Sequence, residues 1–151
     1  MRTRVLLDDV LIDRRVEGVF AFLTDMTNSP TWGRTRSTKR LGDGPLGVGS
    51  RFMEMEPAED GGQSKETGIT EFEPPTFFSY RSVSETGVEE FAEVSLQELD
   101  GRTRVQPAAE VHISGMSQDK EQAFIKEMQI GVRAILDNLK SVLEEGKEDT
   151  S

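Results

Sequence analysis

The stretch KEQAFIKEMQIGVRAILDNLKSVLEE, residues 120–145, decides the fold. From Ile125 onward its apolar residues Met128, Val132, Ile135, Leu136, Leu139, Val142 and Leu143 recur at steps of three and four. That is the period of one face of an α-helix. Lys126, Glu127, Arg133, Asp137, Lys140 and Glu144 lie between them, so the opposite face is polar. No proline interrupts the run, and Gly146 follows where a left-handed C-cap falls. At about 1.5 Å per residue this helix spans roughly 39 Å. A helix that long, wet on one side only, requires a large apolar partner surface. Everything upstream reads as short β segments, so the expected partner is a curved antiparallel sheet.

Upstream, Arg4 to Ile12 is rich in Val, Leu and Ile and reads as a first strand. Val16, Val19, Phe20 and Leu23 are spaced i, i+3, i+4 and i+7, the pattern of a short amphipathic helix. Asn28-Ser29-Pro30-Thr31-Trp32 restarts a helical turn, with Asn28 or Ser29 as cap and proline in the first turn. Strand segments are predicted at residues 37–41, 50–56, 66–73, 76–85, 89–99 and 102–113. Glu59-Asp60-Gly61-Gly62, Pro74-Pro75, Thr86-Gly87 and Asp100-Gly101 separate them, and links this short make neighbouring strands antiparallel. Ser117 is placed to cap the long helix, with Asp119 and Glu121 near its positive end. The predicted class is therefore α+β: a sheet of about seven strands wrapped around a long C-terminal helix, with two short helices after the first strand. A sheet too wide to be filled by its helix leaves a cavity between them.

Composition narrows the function. At 151 residues the chain is expected to form one domain over residues 1–146, with a frayed tail at 147–151. A net charge of -10 argues against nucleic acid, which needs a basic footprint, and against an anionic membrane surface. No apolar run has the length of a membrane span. The absence of cysteine removes disulfides, thiolate nucleophiles and thiolate metal sites. A soluble, cytoplasmic protein of bacterial type is expected, with no cofactor and no metal.

At this point the chain resembles the SRPBCC superfamily, the START-like or helix-grip fold, in its polyketide cyclase/dehydrase-like branch. The residues that carry the resemblance are Val19-Phe20-Ala21-Phe22-Leu23-Thr24-Asp25 followed by Trp32, then Gly47-Val48-Gly49-Ser50-Arg51-Phe52. Phe72-Glu73-Pro74-Pro75, Gly101-Arg102-Thr103-Arg104-Val105 and the helix with Ile135-Leu136 and Leu139-Lys140 complete it, in order and over nearly the whole chain. The resemblance implies the fold. It does not imply one activity, because this fold hosts carriers, cyclases, oxygenase subunits and chaperone activators. It also implies that Trp32 packs near the cavity mouth; a plug joining helix and sheet is the other reading.

The candidate wall residues are Trp32, Phe52, Phe78, Tyr80, Phe91 and Met128, with Met53 and Met55 beside them; at strand or helix spacing, plain core is the competing assignment. Phe78 and Tyr80 share one strand face and Arg81 lies on the other. If the first pair faces inward, the Tyr80 hydroxyl is the best single group to orient a ligand; otherwise it is a core tyrosine bonded to a carbonyl. Candidates for proton transfer are Tyr80, Arg81 and His112, the single histidine. Alternation sets Val105, Pro107, Ala109 and Val111 on one face and Arg104, Glu110 and His112 on the other, which sends His112 to solvent. The glycine-rich residues 42–49 lack the lysine of a phosphate loop and read as a flexible loop over the cavity mouth. Glu54 with Glu56, and Glu71 with Glu73, share strand faces, but a carboxylate pair needs burial to act as acid and base, and sequence does not show burial.

The leading expectation is a binding module for a small hydrophobic or amphipathic molecule held between the sheet and the C-terminal helix. The alternative is a polyketide cyclase/dehydrase-like enzyme using the same cavity. A second alternative is a chaperone-activator-like interaction module working through its acidic outer face. A monomer or weak homodimer is expected, without nucleic acid or membrane insertion.

Overall fold

The computed structural model describes residues 2–33, 35–58, 62–112 and 117–149, with residues 2–4, 111–112 and 146–149 described by their backbone alone. Most of the turn expected at residues 59–62, Ile113 at the end of its strand, and the lead-in at residues 114–116 lie outside the described residues. The chain runs β1 (Arg2–Leu6), β2 (Val10–Ile12), α1 (Val16–Thr24), a 3₁₀ turn (Met26–Asn28), α2 (Ser29–Trp32), β3 (Ser37–Leu41), β4 (Arg51–Met55), β5 (Ser64–Glu73), β6 (Phe77–Ser84), β7 (Glu89–Leu99), β8 (Arg102–His112) and α3 (Gln118–Asp149). The strands form one eight-stranded antiparallel sheet in the order β1-β8-β7-β6-β5-β4-β3, with β2 also paired to β8. This is the α+β helix-grip architecture.

Eight strands replace the expected seven because the first one is broken. Leu6 pairs with Ala108 and Val10 with Val105, so three residues of one strand oppose two of the other. Pro107 sits in that gap with no N–H to give to the ladder. Its carbonyl instead accepts from the Leu7 N–H at 3.2 Å. The Gln106 side-chain amide donates to the Leu7 carbonyl, and Arg104 binds the Asp9 carboxylate. The extra residue is thus absorbed as a bulge. At the far end of β8, Asp100 and Gly101 both take positive φ, 53° and 81°, and close the β7–β8 hairpin with the two-residue turn that favours Asp-Gly.

The long helix extends beyond its predicted limits at both ends. Its 32 residues span roughly 48 Å at 1.5 Å each. Ser117 caps it as expected, its hydroxyl accepting from the Lys120 N–H at 3.3 Å. Gly146 does not end it: the helix continues to Asp149. A glycine inside a helix costs only about 1 kcal/mol relative to alanine, too little to force a stop.

The core lies where α1 and the C-terminal half of α3 meet the inner sheet face. Leu136, Leu139 and Leu143 are 4%, 1% and 4% exposed. They pack with Val19, Phe20 and Leu23 of α1 and with Phe52, Phe78, Leu96 and Val105 of the sheet. The Phe20 ring stands edge-on to Phe78 at 5.7 Å and tilted against Phe72 at 5.2 Å. Burying each such side chain contributes about 1.5–3 kcal/mol.

Candidate functional site

Register fixes which residues share the inner face. In an antiparallel sheet, directly paired residues point the same way. Phe78 pairs with Val94, both buried against the helices. Two residues along, Tyr80 pairs with Ala92, and two further Ser82 pairs with Glu90. Thr67 lies opposite Ser82 and Phe52, and Glu54 stands two residues beyond Phe52 opposite Thr38. Glu54, Thr67, Tyr80, Ser82 and Glu90 therefore share the inner face with Phe52, Phe78 and Val94, and Phe52 lies in the same cross-strand row as Thr67, Ser82 and Glu90.

Helix α3 changes character over the same distance. Its C-terminal leucines are buried, but Phe124, Ile125 and Met128, on the same apolar stripe, remain only half-buried. The helix packs on β2 and α2, and its C-terminal leucines enter the core. A cavity of about 160 Å³ lies at the sheet end where Lys65, Ser82, Ser84, Val88 and Glu90 meet, and its wall is made by strand and loop residues.

The polar groups there form a chain. Glu54 is 8% exposed, and its carboxylate accepts from the Thr67 hydroxyl on one oxygen and from Thr35 on the other at 3.4 Å. Thr67, fully buried, also exchanges a hydrogen bond with Ser82 at 2.8 Å. The Tyr80 ring stacks on Phe78 with centroids 6.2 Å apart. Burial first, and then the negative charges of Glu54 and Glu90, push the Tyr80 phenol above its ordinary value. Tyr80 is thus a hydrogen-bond donor at neutral pH, never a base. Glu54 escaped the sequence reading, because Glu54 and Glu56 alternate as two residues of any solvated edge do. Its one usable signal was position: two residues from Phe52, on the apolar face.

The other candidates scatter. Trp32 ends α2, packs half-buried against the core, and accepts from the Asn138 amide on its carbonyl at 3.2 Å. Phe52 and Phe78 are 0% and 2% exposed and belong to the packed core. Met128 is half-buried on α3. Phe91 does not join the inner-face group: it pairs with Arg81, on the outer face, and the Arg81 guanidinium lies 5.9 Å from its ring centroid. Met53 and Met55 alternate with Phe52 and Glu54 and face outward too. Arg81 is engaged by the Glu89 carboxylate, away from Tyr80. His112 closes β8 opposite Arg2 and Glu89, and its side chain lies outside the described residues.

A larger depression of about 240 Å³ runs along β6, β7 and β8; Ser79, Phe91, Glu93 and Glu110 border it from the outer face, and Tyr80 borders it too. Among the described residues no three His, Asp or Glu side chains converge to hold a metal ion. No helix among them is long and apolar enough to cross a membrane.

A curved antiparallel sheet packed on a long C-terminal helix, with short helices after the first strands, defines a fold of the SRPBCC type. The chain belongs to the family described as "Polyketide cyclase / dehydrase and lipid transport", whose sequence model matches residues 7–144. Solved structures share the fold. The Zhui aromatase/cyclase of a Streptomyces species superposes with a TM-score of 0.75 at 16% identity, covering 95% of this chain and 94% of that one. The di-domain ARO/CYC BexL gives 0.73 at 17% identity over 93% of this chain, which spans 49% of BexL. Ara h 8.0201 gives 0.69 at 10% identity, covering 96% of this chain and 99% of that one. At these identities the likeness is one of fold. No curated protein matches the chain.

Proposed function

We propose that the protein binds one small apolar or amphipathic molecule between the inner sheet face and the N-terminal half of α3. The observation that carries this reading is the unequal burial along α3. Leu136, Leu139 and Leu143 are packed, while Phe124, Ile125 and Met128 on the same apolar stripe are only half-buried. Exposed apolar area on an otherwise buried stripe is stabilised by a ligand that removes it from water. Tyr80, Glu54 and Ser82 then give the ligand its orientation, and Phe78 closes the deep end. Membership of the family, and the Zhui and Ara h 8.0201 likenesses, support a ligand-holding role. The test is native mass spectrometry of the full chain purified under mild conditions from its own host. A single adduct of defined mass, released on denaturation, supports the proposal. A chain that is empty, and whose thermal midpoint no fatty acid, sterol or polyketide shifts, overturns it.

A second reading, a cyclase or dehydrase-like enzyme in the same cavity, draws on one observation. The Tyr80 hydroxyl and the Glu54 carboxylate share the inner face closely enough for the charge of one to hold the proton on the other. In that reading Tyr80 donates a hydrogen bond to a substrate oxygen and Glu54 accepts a proton. Turnover of a cyclisable polyketide-like substrate that is lost in both Tyr80→Phe and Glu54→Gln separates an enzyme from a carrier. An interaction module finds less support, since the exposed Leu6, Val48, Val88, Leu99 and Ile130 are distributed over separate segments.

A further inference from the structure

Among the described residues, three buried polar side-chain atoms have no hydrogen-bond partner: Trp32 Nε1, Thr38 Oγ1 and Arg40 Nε. Thr38 and Arg40 are alternate residues of β3, so their side chains share a face. Register identifies that face as the inner one, because Thr38 pairs with the buried Glu54 and Arg40 with the fully buried Phe52. Helix α2, which ends in Trp32, packs on β3, and Trp32 lies against the core cluster that contains Phe52. The indole N–H and the guanidinium Nε–H are donors only, and a threonine hydroxyl can donate. Buried polar groups are ordinarily paired, and each unpaired one calls for a partner. The Glu54 carboxylate stands opposite Thr38 but is engaged by the Thr35 and Thr67 hydroxyls, so the three donors are left without an acceptor.

From this we infer that the α2–β3 corner is a subsite for an acceptor oxygen of the ligand, a carbonyl or a carboxylate, held by Trp32, Thr38 and Arg40. The inference rests on the ligand-binding reading and gives it polarity. The acceptor end of the molecule sits at the β3 edge, its apolar body lies along Phe78 and α3, and its donor groups meet Glu54. Arg40 also donates from Nη2 to the Pro45 carbonyl at 3.5 Å, which ties the subsite to the glycine-rich loop of residues 42–49. Leu46 of that loop packs on the core.

Three probes of similar shape test it on the full chain: naphthalene, 2-acetylnaphthalene and 2-naphthoate, each titrated by calorimetry. The expected result is tighter binding of at least one acceptor-bearing probe than of naphthalene, by about tenfold, the scale of a charge-assisted hydrogen bond. Trp32→Phe keeps a ring and removes only the N–H, and Arg40→Gln removes the charge. Each should close most of that gap between the acceptor-bearing probes and naphthalene. A greater gain for 2-naphthoate assigns a carboxylate, and a greater gain for 2-acetylnaphthalene assigns a ketone. Equal binding of all three overturns the inference and leaves the cavity reading standing. Binding of none overturns both. Thermal midpoints of the two variants, measured alongside, confirm that each remains folded.

Discussion

Phe78 and Tyr80 stand two residues apart on the inner face of β6 with their rings stacked at 6.2 Å. Phe78 is 2% exposed and meets Phe20 of α1, whereas Tyr80 is half-buried and packs against the edge of the core. One strand thus supplies a core aromatic and, in the proposed reading, a ligand-facing one. Phe78→Ala should destabilise the fold by about 3–5 kcal/mol in denaturant unfolding, as truncation of a buried phenylalanine does. Tyr80→Phe should change stability by less than about 1 kcal/mol, because it removes a hydroxyl and no packing volume. A large loss in Tyr80→Phe would place Tyr80 in the core instead.

Tyr80 is the single tyrosine of the chain, so its ionisation can be followed directly by tyrosinate absorbance. Its value is raised by burial and by Glu54 and Glu90. The sign follows: the folded state holds this proton more tightly than the unfolded state. Stability is therefore intact below the ordinary tyrosine value of 10.0 and falls as pH rises beyond it. The folded protein should show no tyrosinate through the ordinary range, and the signal should appear with unfolding. Glu54→Gln should shift the onset downward. Normal titration in the folded protein would show Tyr80 to be solvated and uncoupled.

The Thr67 hydroxyl lies between the Glu54 carboxylate and the Ser82 hydroxyl and is fully buried. Thr67→Val keeps the shape and leaves Glu54 short of a donor in a buried site. It should cost about 1–3 kcal/mol in stability, the penalty of an unsatisfied buried polar group. Pairing it with Glu54→Gln should give a non-additive double mutant, because the two act on one bond. Additive costs would show that Glu54 is solvated.

On the far side of the molecule, Glu144 joins α3 to the start of α1. The Lys140 ammonium donates to it at 2.7 Å, as does the Asp13 backbone N–H at 2.9 Å. The Lys140 hydrogen bond is the main cause that lowers the Glu144 value below the ordinary 4.5. A lowered carboxylate stabilises the fold above its unfolded value and loses that contribution as pH falls through the folded one. Glu144→Gln should lower the thermal midpoint slightly at pH 7, and the difference from wild type should close in acid below about pH 4.5. The effect is small because the pair is largely exposed, so a difference that persists in acid would mean packing and not charge.

Helix α3 was legible because its stripe repeats for about five turns without a proline, and strand limits were legible because Asp100-Gly101 and its counterparts force turns. The break after Leu6 was not, since it depends on Pro107 lying opposite, a relation almost 100 residues distant in sequence. The site was legible only in part. Pairing Phe78 with Tyr80 needs only a period of two. The orientation of β7 was not readable, because Phe91 and Glu93 on one face and Ala92 and Glu90 on the other offer no contrast in polarity; Val94 and Leu96 settle it only once their partners are known. Glu54 and the unpaired donors of Trp32, Thr38 and Arg40 are properties of burial, which pairing across β3, β4 and β5 creates and no single strand displays.

The most direct test of the central claim is methyl NMR of the full chain with labelled methionines, titrated with 2-acetylnaphthalene and 2-naphthoate. The chain carries six methionines that sample separate regions. Met128 lies on the half-buried part of α3, Met26 in the core, and Met53 and Met55 on the outer sheet face. The account predicts a saturable shift of the Met128 methyl at one-to-one stoichiometry, with Met53 and Met55 unmoved. Shifts confined to Met53 and Met55, or no shift at any methionine, would contradict it.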